Sequence, residues 1–128
     1  MLTKIVVSLA LVSLTLAEMK RHQNITVIGQ ITCSGKPVSG ALIELKEKDF
    51  LSKDDNLMTT QTDKNGTFVA YGEDNEVMDI SPYLIVHHNC TKLPCNAKSI
   101  FDVPSSKIND VFDFNVDLSS VKDAEKSC

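Results

Sequence analysis

The sequence predicts an all-β protein: an antiparallel β-sandwich of immunoglobulin-like shape with about seven strands. Three observations carry that expectation. Stretches rich in Val, Ile, Thr, Phe and Tyr recur at roughly 8–15-residue spacing, with turn residues between them. Two of these stretches alternate apolar and polar residues, the period of a half-buried strand. Beyond residue 17, no stretch of about ten residues shows a helical period.

The first 17 residues are a different material. Lys4 is their only charge, and Ile5 to Ala17 is an apolar run with small residues at its end. Such a run is too short for a membrane span and reads as a secretory signal peptide; an uncleaved anchor helix is the other reading. Removing 17 residues from 128 leaves 111, and the loss of Lys4 takes the net charge from −4 to −5. One domain is expected from that length. An acidic balance without clustered Lys and Arg argues against nucleic acid, and no second long apolar run is present to cross a bilayer.

Residues 18–24 read as a polar lead-in and 25–118 as the sandwich. Ile25 to Cys33 is β-branched and strand-like, and Ser34-Gly35-Lys36-Pro37 turns the chain. In Ala41 to Glu47, Ala41, Ile43 and Leu45 share one face while Glu44 and Lys46 share the other. Residues 48–56 are polar and loop-like. Leu57–Thr62 and Thr67–Tyr71 flank the turn Asp63-Lys64-Asn65-Gly66 and are expected to form a hairpin. Gly72 to Glu76 reads as an acidic connection. Pro82 to Cys90 and Cys95 to Val103 follow as strands, separated by a four-residue loop. The last strand, Val111 to Leu118, sets Phe112, Phe114, Val116 and Leu118 on one face and Asp113, Asn115 and Asp117 on the other. A tail, 119–128, ends in Cys128.

Taken together, Val27-Ile28-Gly29-Gln30-Ile31-Thr32-Cys33, Gly35-Lys36-Pro37, Thr62-Asp63-Lys64-Asn65-Gly66-Thr67-Phe68, Ser81-Pro82-Tyr83-Leu84, His88-Asn89-Cys90 and Pro94-Cys95 resemble the transthyretin-like family of secreted nematode proteins. The resemblance covers about residues 25–118. It implies a seven-stranded transthyretin-like (prealbumin-like) sandwich, secretion, and no established enzymatic activity. Asn89 stands where members of that family usually carry Asp. Enzymes of the same fold, the 5-hydroxyisourate hydrolases, end in Tyr-Arg-Gly-Ser and use an N-terminal His. This chain ends Lys126-Ser127-Cys128, and its single Arg is Arg21, so no hydrolase activity and no catalytic residues are expected.

Four cysteines, Cys33, Cys90, Cys95 and Cys128, imply two disulfides in an oxidising compartment, with three possible pairings. Cys90 and Cys95 flank a tight loop between two expected antiparallel strands, which favours a Cys90–Cys95 bridge and leaves Cys33 with Cys128, tying down the tail. The competing use of His87, His88, Cys90 and Cys95 as metal ligands is disfavoured, because His87 and His88 point to opposite strand faces. His88 shares the face of Leu84 and Val86 and reads as a structural histidine bonded to backbone. Sequons at Asn24, Asn65 and Asn89 are candidate glycan acceptors. Asp63 to Gly66 lacks the Gly and Glu that a calcium-binding EF-hand loop needs at its sixth and twelfth positions. The acids Glu73, Asp74, Glu76 and Asp79 read as a solvated loop, with weak calcium binding as the alternative.

No metal or other cofactor is expected. The leading functional expectation is a secreted, non-enzymatic recognition module for another extracellular protein or a cell surface. The alternative is an oligomeric carrier of a small apolar ligand, for which Asp113, Asn115 and Asp117 would make a poor channel lining.

Overall fold

The computed structural model describes residues 19–91 and 95–127. The segment read as a signal peptide and Cys128 lie outside the described residues. Among the described residues, nine strands form two sheets facing each other across one core. The first sheet holds β1 (Arg21–Cys33), β2 (Lys36–Pro37), β5 (Thr67–Glu76) and β8 (Val111–Asp117). The second runs in the order β4 (Asp55–Gln61), β3 (Leu42–Glu47), β6 (Pro82–His88), β7 (Asn96–Asp102), β9 (Glu125–Ser127). Seven of these are the expected strands. The two-residue β2 and three-residue β9 are short additions at the edges.

Period-two patterning builds the core. Ile25, Val27 and Ile31 of β1 face Ile43 and Leu45 of β3 and Leu84 and Val86 of β6, all fully buried. Phe112, Phe114 and Val116 close the β8 side, with Phe101 and Phe114 edge-to-face at 4.9 Å between ring centroids. The outward residues of β8 bond the neighbouring backbone. Asn115 Oδ1 accepts from Gln30 N, and Asp117 accepts from the amides of Ser34, Gly35 and Ser119. The Ser119 hydroxyl, which also donates to Asp117, and these amides hold its carboxyl well below the usual carboxylate range.

Four expectations about the architecture need correction. β8 runs parallel to β1, Gly29 opposite Phe114, so the sandwich is not wholly antiparallel. Strand β1 begins at Arg21, so most of the lead-in 18–24 is sheet. Strand β5 continues through Glu76, so residues 72–76 are strand rather than connection, paired with Arg21 to Ile25 of β1. Finally, β4 and β5 do not form a hairpin: β4 pairs with β3 and β5 with β1. The turn between them is real. Asp63 Oδ1 accepts the amides of Asn65 and Thr67, each at 2.9 Å, and Gly66 has φ 75°. But the Gly66 carbonyl takes the Ile31 amide at 2.8 Å, and a Cβ on Gly66 would lie 2.4 Å from the Ile31 carbonyl oxygen. The turn is therefore stitched to β1, and the chain crosses between sheets there.

Candidate functional site

The two ends of the sandwich differ in chemistry. At one end the inward stripes of two strands run out of apolar residues and finish in acids. On β3 the stripe Ile43, Leu45 continues to Glu47; on β5 the stripe Phe68, Ala70, Gly72 continues to Asp74 and Glu76. Register sets Asp55 of β4 opposite Glu47. Carboxylate oxygens of Glu47, Asp55 and Asp74 lie within 4.8 Å of one another. Glu47 is 5% exposed, and its Oε2 has no hydrogen-bond donor. Burial, the adjacent Asp74 carboxyl, and the charges of Glu76 and Asp55 push Glu47 up to about 8. Gln23, also buried, donates to the Glu76 and Met78 carbonyls and accepts from Ile80 N. It fixes the chain that leaves β5 without neutralising any acid.

Two loops cap this end. Residues 48–54 join β3 to β4, and 77–81 join β5 to β6. Lys48 N donates to Ser81 O at 3.1 Å, which ties the loops together. The first carries Phe50 and Leu51, 99% and 89% exposed; the second carries Met78, 79% exposed, and half-exposed Val77. The first loop is held by Asp49, which accepts from Leu51 N and Ser52 Oγ, and by the Tyr83 hydroxyl bonded to Asp54. Burial and that carboxylate push Tyr83 up to about 12.

The expected acidic run is thereby split. Asp74 and Glu76 turn inward, whereas Glu73 faces out to His22 at 3.2 Å and to the Tyr71 hydroxyl, and Asp79 pairs with Arg21 at 2.8 Å. Sequence reasoning missed Glu47 and Asp55 as members of the cluster. The available signal was position: Glu47 is the next residue on the Ala41, Ile43, Leu45 face.

The opposite end holds the cysteines. Cys33 is bonded to Cys90, with Cα atoms 5.8 Å apart and a sequence separation of 57. This overturns both favoured pairings, Cys90–Cys95 and Cys33–Cys128. The reason is facial: Cys33 follows Ile31 on the inward stripe of β1, and Cys90 follows Val86 and His88 on that of β6. The bridge therefore spans the two sheets instead of joining neighbours in one. Cys95 is also disulfide-bonded.

Next to the bridge, His88 is buried. Its Nδ1 accepts from Cys90 N at 3.0 Å, so the proton sits on Nε2, which meets Ser99 Oγ at 2.9 Å and Asp123 Oδ1 at 3.3 Å. Ser99 in turn donates to Asp123 at 3.1 Å. Burial lowers the His88 pKa, and Asp123 opposes that shift. A Ser, a His and an Asp thus meet, but not as a hydrolytic triad. The Ser99 proton goes to the carboxylate, the same ring nitrogen faces both partners, and Ser99 is fully buried. His87 points outward to Glu44 at 3.1 Å, and Cys90 is oxidised, so the structure does not assemble the set His87, His88, Cys90, Cys95 around a metal. An open cavity of about 530 Å³ lies beyond His88, lined by residues such as Gly40, Leu42, Asn89, Ala97 and Lys126.

Of the sequon residues, Asn65 and Asn89 are exposed at the bridge end, and half-buried Asn24 lies on β1, its amide bonded to Asn109 Oδ1.

The sequence profile of the transthyretin-like family matches residues 28–104. Transthyretin-like protein 16 of Caenorhabditis elegans is 37% identical over 120 residues, covering 92% of this chain and 91% of that protein. This chain belongs to the transthyretin-like family. Transthyretin-like protein 5 of the same animal is 34% identical over 109 residues, covering 83% and 78%. Among solved structures, the crystal structure of a 9R-lipoxygenase from Cyanothece superposes with a TM-score of 0.50 at 16% identity, over 86% of this chain and 20% of that one. That likeness shows a shared fold, and the chain spans about a fifth of the lipoxygenase. Asn89 sits exposed just past the end of β6, between His88 and Cys90.

Proposed function

We propose that this transthyretin-like chain is a secreted, non-enzymatic recognition module that binds another extracellular protein or a cell surface through the loop end of its sandwich. The observation that carries this reading is the exposure of Phe50, Leu51, Val77 and Met78 together on two linked loops. Large apolar side chains gathered at one place on a surface mark contact sites, whereas single scattered ones do not. Secretion is supported by the Cys33–Cys90 bridge and by the apolar leader, and no helix among the described residues is long and apolar enough to cross a membrane. Glycans at Asn65 and Asn89 would occupy the far end and leave the apolar loops open. The absence of enzymatic activity is supported by the arrangement of His88, Ser99 and Asp123, which spends every proton on structural bonds.

The test is binding of fluorescently labelled protein, made in a secreting eukaryotic host, to intact animal cells and to immobilised extracellular matrix. The variant pair Phe50→Asp with Leu51→Asp is expected to weaken binding at least about tenfold, with an unchanged circular dichroism spectrum. Undiminished binding by the variant would move the contact surface elsewhere. No binding by the native protein would remove the recognition reading.

A further inference from the structure

We propose that Glu47, Asp55 and Asp74 form a binding site for a divalent cation, and specifically for calcium. The donor set is all carboxylate oxygen, the chemistry of a hard cation. Calcium holds its ligands at about 2.3–2.6 Å, so oxygens on opposite sides of one ion lie about 4.6–5.2 Å apart. The three carboxylates present oxygens within 4.8 Å of one another, a spacing that one such ion spans.

The independent sign is Glu47 itself. It is buried, its Oε2 lacks a donor, and its neighbours in the cluster are acids. Its carboxyl can bond to Asp74 only with a proton between them. An unpaired acid in such a place is expensive unless something positive answers it. No Lys, Arg or His among the described residues does so: Glu47, Asp55, Asp74 and Glu76 all lack an ion pair, although Lys48, Arg21 and His22 stand nearby, committed to Asp102, Asp79 and Glu73. The site is open on one side, because Asp55 is exposed and Asp74 half-exposed. An ion can therefore enter and keep waters as its remaining ligands.

The experiment uses the intact protein, stripped with chelator at pH 8 and titrated with CaCl₂. Calorimetry should show one site. At an extracellular-type Kd near about 0.5 mM, about 5 mM calcium should raise Tm by roughly 5 °C. Glu47→Gln should abolish that rise, and its unaltered or higher Tm in chelator would show that the fold is intact. Asp79→Asn, on the paired acid outside the cluster, should keep the full response. The proposal is overturned if the native protein neither takes up calcium nor shifts its Tm at 10 mM CaCl₂, about twentyfold above that Kd. It is equally overturned if Glu47→Gln responds as the native protein does, since the ion then sits elsewhere. These readouts need no binding partner, so they stand or fall apart from the recognition function.

Discussion

Glu47 shows how a single side chain can set the pH behaviour of a domain. Its carboxyl is held near 8 in the folded chain against 4.5 ordinarily, because burial and the three acids Asp74, Glu76 and Asp55 disfavour its charge. A folded value above the unfolded one gives stability that is full below about 4.5 and is lost as pH rises through about 8. In chelator, the native Tm is therefore expected to fall between pH 5 and 8 relative to that of Glu47→Gln, the two meeting at the acid end. Parallel Tm curves for the two proteins across this window would contradict that account. Part of this site is legible in the sequence. Asp74 and Glu76 are conspicuous as acids, and Glu47 extends the Ala41, Ile43, Leu45 face. Their convergence is not legible, because it depends on which strands of two sheets stand opposite one another. Asp55 is read as loop because Lys53, Asp54, Asp55 and Asn56 carry no apolar alternation.

At the scale of the strands, the central contact is β1 against β8. Gly29 lies opposite Phe114, and a Cβ there would fall 1.6 Å from the Phe114 carbonyl oxygen. Strand glycines mark such close approaches. Gly29→Ala should push β8 outward, unseat Phe112, Phe114 and Val116, and destabilise the domain by about 3 kcal/mol or more in urea unfolding. Gly35→Ala is the contrast. It has open space around it but a φ of 79°, so its cost should be about 1–2 kcal/mol. Equal effects of the two would mean that β8 gives way freely. Strand existence was legible from alternation, as in Phe112, Phe114 and Val116. Pairing was not. Asp63 to Gly66 has the composition of a hairpin turn, yet Gly66 bonds to Ile31, and that long-range contact outweighs the local preference. The polar stretch Gly72 to Glu76 becomes strand because β1 offers it a ladder as far as Arg21.

For the molecule as a whole, the cysteines decide how the two sheets are held together. Even count and the apolar run Ile5 to Ala17 made disulfides legible, but not their partners. Cys90 neighbours β7 in its own sheet and faces β1 across the core, and sequence spacing favours the former. The Cys33–Cys90 bridge closes 57 residues of separation, worth about 4 kcal/mol on the chain-entropy model. That is a large part of the roughly 5–15 kcal/mol expected for a domain's net stability. In the second sheet, Asn96 pairs with Ser127 and Ala97 with Lys126. Cys95 is disulfide-bonded and Cys33 is joined to Cys90, so of the four cysteines the second bridge is expected to be Cys95–Cys128. Peptide mapping of the non-reduced protein should return one peptide pair linking Cys33 to Cys90 and another linking Cys95 to Cys128. A Cys90–Cys95 pair would refute the cross-sheet staple. The double variant Cys33→Ala with Cys90→Ala should lose most of that ~4 kcal/mol, whereas removal of the second bridge should free only the short β9. Because the larger share of stability rests on the first bridge, folding should succeed in a secreting host and largely fail in a reducing cytosol.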